Sequence, residues 1–183
     1  MKISDEMIEQ IKVFEGCRLD AYLDSAGIPT IGIGHTGKDV TMGDRISNEE
    51  ATRLFRQDVR SAENAVNKFN TILLEKTRGY GGFTQQQFDA MVSIVYNCGA
   101  GCIRTDTTLY KVIMGGGRNR YPDVCHGFML WTKITNPKTG KKEVLQGLVN
   151  RRAMEAAWYV YGKDWKNELI RHGIKDVVEW AKS

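Results

Sequence analysis

The stretch that decides the fold is Phe14-Glu15-Gly16-Cys17-Arg18-Leu19-Asp20-Ala21-Tyr22-Leu23-Asp24-Ser25-Ala26-Gly27-Ile28-Pro29-Thr30-Ile31-Gly32-Ile33-Gly34-His35. It begins as the end of a helix. Ser4 is placed to cap that helix, Asp5 and Glu6 favour its positive end, and Met7, Ile8, Ile11 and Phe14 fall on one stripe at helical spacing. Gly16 stops it. From Arg18 the texture changes to short extended pieces around glycine turns: Arg18 to Leu23, the turn Asp24-Ser25-Ala26-Gly27, a piece over 28–34, and a brief one near Val40. That pattern predicts a small antiparallel sheet.

Beyond it the chain reads as helical. Ser47-Asn48-Glu49-Glu50 and Thr84-Gln85-Gln86-Gln87 are capping boxes, each followed by an apolar stripe. Between them Arg78-Gly79-Tyr80-Gly81-Gly82 places three glycines in four positions and reads as a turn or hinge between lobes. Further helices are predicted over 107–114, 122–131 and 147–161, with two short ones between 163 and 182 separated by His172-Gly173. The loop 135–142 has turn chemistry and dense positive charge. The predicted fold class is α+β: a small N-terminal lobe over 1–70 with a short antiparallel sheet, a connector and long helix over 71–100, a larger helical lobe over 101–162, and a helical extension over 163–183.

Composition bounds the function. At 183 residues, with 42% hydrophobic and 26% charged residues, the chain is a globular domain, or a two-lobed one, able to bury a core without staples. No apolar run approaches the roughly 18 residues of a membrane span, and Met1-Lys2-Ile3-Ser4-Asp5-Glu6 has acids where a signal peptide would be apolar. Synthesis in the cytosol without an export signal is the expectation. Residues 1–117 carry 13 Lys and Arg against 15 Asp and Glu, whereas 118–183 carry 13 against 7. The basic final third suits an anionic polymer. Cys17, Cys98, Cys102 and Cys125 are expected as free thiols, and with His35, His126 and His172 scattered, no metal or other cofactor is expected.

The candidate chemistry lies in the opening stretch. Glu15 is one turn beyond Ile11 and is the last helical residue. Contact with apolar neighbours and the negative helix end would both favour its protonated form, which suits a general acid; a solvated Glu near a helix end is the other reading, and the one these residues alone favour. Asp24 opens a turn in which its carboxylate can accept backbone hydrogen bonds and stay charged. One carboxyl pushed toward neutral and one kept ionised, joined by a strand that folds back, is an arrangement glycoside hydrolysis uses. In Pro29-Thr30-Ile31-Gly32-Ile33-Gly34-His35, strand alternation would put Thr30, Gly32 and Gly34 on a nearly bare face suited to a sugar ring, opposite Ile31, Ile33 and His35. A bulge or sharp twist is the other reading of those glycines. His35 reads as a hydrogen-bonded structural residue rather than a catalyst.

The order Glu15, Asp24, Thr30 within these motifs resembles the phage-type lysozymes, the endolysins of glycoside hydrolase family 24. The likeness continues in Thr84-Gln85-Gln86-Gln87-Phe88-Asp89-Ala90-Met91-Val92-Ser93, Tyr96-Asn97-Cys98-Gly99, Trp131 and Gly147-Leu148-Val149-Asn150-Arg151-Arg152, and spans residues 4–161. It implies a lysozyme-like fold and a muramidase cleaving the β-1,4 bond between N-acetylmuramic acid and N-acetylglucosamine. Glu15 would protonate the leaving oxygen while Asp24 and Thr30 position and activate water, with inversion. Gly32, Gly34, His35 and Arg151 would be substrate-binding or supporting residues. Arg151 rather than Arg152 is matched to the family's basic residue near the catalytic Glu, the other arginine being assigned to a solvated helix face. Two departures stand out: the link over 71–83 is longer than usual, and the tail beyond Gly162 lies outside the likeness, its apolar residues expected to pack on the helical lobe.

The partner implied is bacterial peptidoglycan, met by a monomer without an integral membrane segment. Delivery from the host cytoplasm through a holin is expected. Two other classes remain. One is a lysozyme-like domain that binds glycan without cutting it, against which all three positions of the catalytic pattern are filled. Nucleic-acid binding by the basic third is disfavoured, because its charges are interleaved with acids and no nucleic-acid motif is present.

Overall fold

The computed structural model describes every residue except Ser25, Gly116, Lys138, His172 and 174–183. Its contacts divide the chain into two units, Ser4–Ser61 and Met1–Ile3 with Ala62–Ser183. The boundary falls at 61/62, so residues 62–70 belong with the helical unit.

In the first unit α1 (Asp5–Glu15) starts where the Ser4 hydroxyl accepts the Met7 N–H at 3.2 Å, and buries Met7, Ile8 and Ile11. It ends at Gly16, whose φ of 75° turns the chain out of the helix at little cost for glycine. The strands β1 (Arg18–Leu23), β2 (Pro29–Gly32) and β3 (His35–Thr36) form an antiparallel sheet in that order. Helix α2 (Asn48–Asp58) packs on β2 and β3, and its Arg56 is ion-paired with Asp5 of α1. Ile31, Val40 and Leu54 make a small core, with Ala21 and Ile46 packed against it.

Two strand expectations need correction. The piece expected over 28–34 is broken: Ile33 and Gly34 form a turn, and β3 folds back so that Ile31 pairs with His35 and Thr30 with Thr36. Gly32 and Gly34 have φ of 63° and 75°, which a continuing strand cannot carry. Ile31 and His35 do share a face, as cross-strand partners. Val40 is no strand; the segment beyond it serves instead, with Ala21 N–H bonded to Asp44 O and Ile46 N–H to Leu19 O, both at 2.9 Å. A bulge makes that edge available: Arg18 pairs with Gly32 but Tyr22 with Thr30, so three residues of β1 oppose one of β2 and the strand bends.

The second unit begins with Met1–Ile3 tied to helix α3 (Arg60–Lys76), where the Ile3 N–H donates to Glu63 Oε1 at 2.8 Å and the terminal ammonium to Asn67 Oδ1 at 2.7 Å. The glycine stretch 78–82 is a turn inside this unit, not a hinge between units. There Phe83 N–H bonds Asn70 Oδ1 at 2.7 Å, and a Cβ on Gly82 would meet Leu74 at 2.8 Å. Helix α4 (Gln85–Cys98) opens with the expected Thr84–Gln87 capping box. It is followed by α5 (Thr108–Met114), α6 (Tyr121–Met129), a hairpin of β4 (Lys133–Thr135) and β5 (Lys142–Val144), α7 (Gln146–Tyr161) and α8 (Trp165–Arg171). Every residue of α4 from Gln87 to Val95 and of α7 from Asn150 to Tyr159 is buried. Helix α7 packs on α4, α6 and α8.

The hairpin corrects the all-helical expectation for this region. Each strand has only three residues, too short for a period-of-two signal, and the six residues between them read as a loop. In the tail, Trp165 and Leu169 are buried and α8 packs on α7, whereas Ile170 is exposed. The second tail helix expected after Gly173 lies outside the described residues. Among the described residues no helix is long and apolar enough to cross a membrane.

Candidate active site

Glu15, Asp24, Thr30, Gly32, Gly34 and His35 all lie in the unit Ser4–Ser61. Glu15 is the last residue of α1, and it is exposed. This exposure matches the solvated reading of the helix end: the buried stripe runs through Met7, Ile8 and Ile11, with Phe14 half-buried, and Glu15 lies beyond it.

Asp24 follows β1 directly. Its Oδ1 accepts the backbone N–H groups of Ala26 and Ile28, each at 2.8 Å, while its own N–H bonds Ile28 O at 3.0 Å and its C=O accepts from Gly27 N–H at 3.0 Å. The turn thus holds the carboxylate in one orientation, as the sequence predicts. Glu15 and Asp24 stand at the two ends of the bulged strand β1. Thr30, opposite Tyr22 on β2, is buried, and its hydroxyl donates to Ile28 O at 2.9 Å. With the proton committed to that carbonyl, the Thr30 oxygen is left as an acceptor, the capability needed to orient a water.

The glycine face is not the bare floor that alternation suggests. A Cβ on Gly32 would lie 3.2 Å from Ala51 Cβ and 3.4 Å from Ile46 Cδ1, so this glycine lets α2 approach the sheet closely. At Gly34 nothing lies within 4 Å of that position.

His35 is almost fully buried between two acids, Nδ1 lying 2.8 Å from Asp58 Oδ2 and Nε2 3.3 Å from Asp39 Oδ2. Burial works against the charged ring, but the hydrogen bonds and charges of Asp58 and Asp39 outweigh it and raise the pKa above 6.5. The structural role read from sequence acquires its partners here. Asp58, 23 residues away on α2, gave no local signal.

Arg151 belongs to the helical unit. It is 4% exposed and Arg152 is 0% exposed, so the expectation of one arginine on a solvated face is overturned. Glu155, one turn along α7 and also buried, explains both. Arg151 Nε donates to its Oε1 at 3.0 Å, Arg152 Nη2 lies 3.3 Å from the same oxygen, and Ser93 Oγ donates to it at 2.6 Å. Arg152 also donates to Asn97 Oδ1 at 2.8 Å and Cys98 Sγ at 3.1 Å. The spacing of Glu155 three and four residues beyond the arginines was a readable sign of this cluster.

Among the described residues no three His, Cys, Asp or Glu are grouped to hold a metal ion, and the four cysteines are free thiols. A helix leading into a bulged three-stranded antiparallel sheet, beside a mostly helical unit, is an α+β, lysozyme-like architecture. Comparison with known proteins agrees. The family described as Phage lysozyme matches residues 12–155. An endolysin of Acyrthosiphon pisum secondary endosymbiont phage 1 is 35% identical over 159 residues, covering 87% of this chain and 98% of that protein. The endolysin of Salmonella phage P22 is 34% identical, covering 73% and 85%. The solved endolysin from Escherichia coli O157:H7 phage FAHEc1 superposes with a TM-score of 0.73 at 38% identity, covering 88% of this chain and 94% of that one. The chain belongs to the phage lysozyme family, and with it to the muramidase hydrolases.

Proposed function

We propose that this protein is an endolysin that lyses a phage's bacterial host by hydrolysing the β-1,4 bond between N-acetylmuramic acid and N-acetylglucosamine of peptidoglycan, with inversion. Glu15 delivers its proton to the leaving glycosidic oxygen as the bond to the anomeric carbon breaks. A water attacks that carbon from the opposite face and passes a proton to Asp24, while the Thr30 oxygen holds the water in line. Inversion requires the carboxyls to stand roughly 6.5 to 9.5 Å apart, leaving space for the water. The observation that carries this reading is the unlike setting of the acids: Glu15 exposed at a helix end, Asp24 fixed by two backbone N–H groups. Gly32 supports the site by closing α2 onto the sheet, His35 supports it through Asp39 and Asp58, and Arg151 supports the helical unit through Glu155. The enzyme acts as a monomer on the wall, takes no nucleic acid as partner, and reaches the wall from the host cytoplasm through a holin.

The test is lysis of permeabilised Gram-negative cells followed by mass analysis of the soluble muropeptides. The expected products carry N-acetylmuramic acid at the new reducing end. Protein that binds the wall without clearing turbidity, or products ending in N-acetylglucosamine, anhydro-sugar or released peptide, would contradict the assignment.

A further inference from the structure

The bulge in β1 brings together two side chains that a regular strand would keep apart. Four residues of regular strand span about 13 Å, and side chains that distant are not neighbours. The β2 partners of Arg18 and Tyr22 are Gly32 and Thr30, only two residues apart, so the bulge cuts the span to about half. The result is a stacked pair: Arg18 Cζ lies 4.1 Å from the centre of the Tyr22 ring. That is well inside the roughly 6 Å over which an aromatic face holds a cation.

The pair stands on the side of the sheet assigned to the chemistry. Tyr22 is directly opposite Thr30, so the two side chains share a face. Glu15 and Asp24 lie just before and just after this strand. The guanidinium is held there without being spent. Stacking takes up its face, while its five N–H groups point outward in the plane of the group. The acid of β1, Asp20, is turned to Arg45 at 3.5 Å, and among the described residues no carboxylate is paired with Arg18. Arg18 is exposed and Tyr22 half-buried, so the cation is anchored at the ring and open at its edge. Arginine offers donors and no acceptor, which suits a carbonyl oxygen better than a hydroxyl, whose own proton would also need a partner.

We infer that Arg18, positioned by the bulge and by Tyr22, is a substrate-binding residue that donates to the acetamido carbonyl of an N-acetyl sugar lying along β1 between Glu15 and Asp24. The inference rests on the glycan-hydrolase reading and adds a specificity-determining residue to it: the enzyme favours glycan that keeps its N-acetyl groups.

The experiment compares wild type, Arg18→Ala and Tyr22→Leu on soluble glycan strands freed of peptide by an amidase, with their N-acetyl groups present or removed by a deacetylase. On acetylated strands Arg18→Ala should lower kcat/KM by about 10- to 100-fold, the usual worth of a hydrogen bond from a charged donor, mostly through KM. Tyr22→Leu removes the support of the guanidinium and should reproduce the loss, and Tyr22→Phe should rescue it. Should Tyr22→Leu fold poorly, Arg18→Ala at its exposed position still decides. On deacetylated strands wild type should fall toward Arg18→Ala, which should lose little more, because two changes at one contact do not multiply. Losses that multiply, or a fall in kcat with KM unchanged, overturn the proposal. Arg53→Ala, at an exposed cation paired with Glu50 on α2, should keep the wild-type KM; an equal loss there would mark a general field effect and overturn it too.

A second arm is independent of turnover. The affinity of acetylated strands for the Glu15→Gln protein, measured by calorimetry, should weaken by a similar factor when Arg18→Ala is added. Unchanged affinity overturns the proposal. A wild type that cuts neither kind of strand would refute the hydrolase reading, while this affinity comparison would still decide Arg18.

Discussion

The two units treat charge in opposite ways. In the unit Ser4–Ser61 the acids assigned to chemistry stand where substrate and water can meet them: Glu15 exposed at the end of α1, Asp24 half-buried on a turn. In the helical unit Arg151, Arg152 and Glu155 are withdrawn from water, each hydrogen-bonded to another member of the group or to Ser93, Asn97 and Cys98. The difference separates charges that act from charges that hold. A group that exchanges a proton needs access to substrate and water, whereas a buried charge stripped of its partner is strongly destabilising.

Substitution should divide along that line. Glu15→Gln should lower the lytic rate by about 10²- to 10⁴-fold, the usual contribution of a general acid. Asp24→Asn, which retains an oxygen for the Ala26 and Ile28 N–H groups, should also lose most turnover. Neither should move the melting temperature much, because both positions are accessible; a large thermal shift with rates intact would reverse their place in the comparison.

Glu155→Gln should do the opposite. It leaves two buried guanidinium groups without their counter-charge, at a cost of about 3 to 5 kcal/mol, or about 6 to 20 °C in a chain of this size. Calorimetry would show it, and the activity of the molecules still folded should stay within a few-fold. A thermally silent Glu155→Gln would mean that the buried cluster is not a stability device.

Gly32→Ala should cost about 1 to 2 kcal/mol, since φ of 63° disfavours any Cβ and this one would press on Ala51. An unshifted melting curve would contradict the close packing of α2 on the sheet.

The smallest effect is the pH dependence of His35. Its folded pKa is raised above the unfolded 6.5. Its contribution is therefore fully present below pH 6.5 and is lost as pH rises through the folded value. Denaturation of wild type and His35→Gln should differ most in mild acid and converge in alkali. A gap that widens with pH would contradict the Asp39–His35–Asp58 bridge.

How much of this was legible in the sequence depends on the range of the forces involved. Helix starts were readable because Ser4, Ser47 and Thr84 satisfy N–H groups three residues away. The Asp24 turn was readable for the same reason. What failed was longer in range or subtler in period. The sequence leaves the glycines near Ile33 open between continued alternation and a sharp twist, because two positive-φ glycines flanking Ile33 mimic an alternating strand until the backbone angles are known. Whether Glu15 lies against apolar neighbours or in solvent stays open in the sequence, because a helical stripe says where apolar residues lie, not where the surrounding packing ends. The partners of Arg152 and His35, Asn97 and Asp58, lie 55 and 23 residues away and come together only in the folded chain.

The central claim is that Glu15 gives the proton while water, held by Asp24 and Thr30, attacks from the opposite face. Proton NMR of the first-formed reducing sugar during digestion tests it most directly. Inversion predicts that the α-anomer appears first and then mutarotates. A β-anomer formed first would show retention and contradict the assigned route of the water.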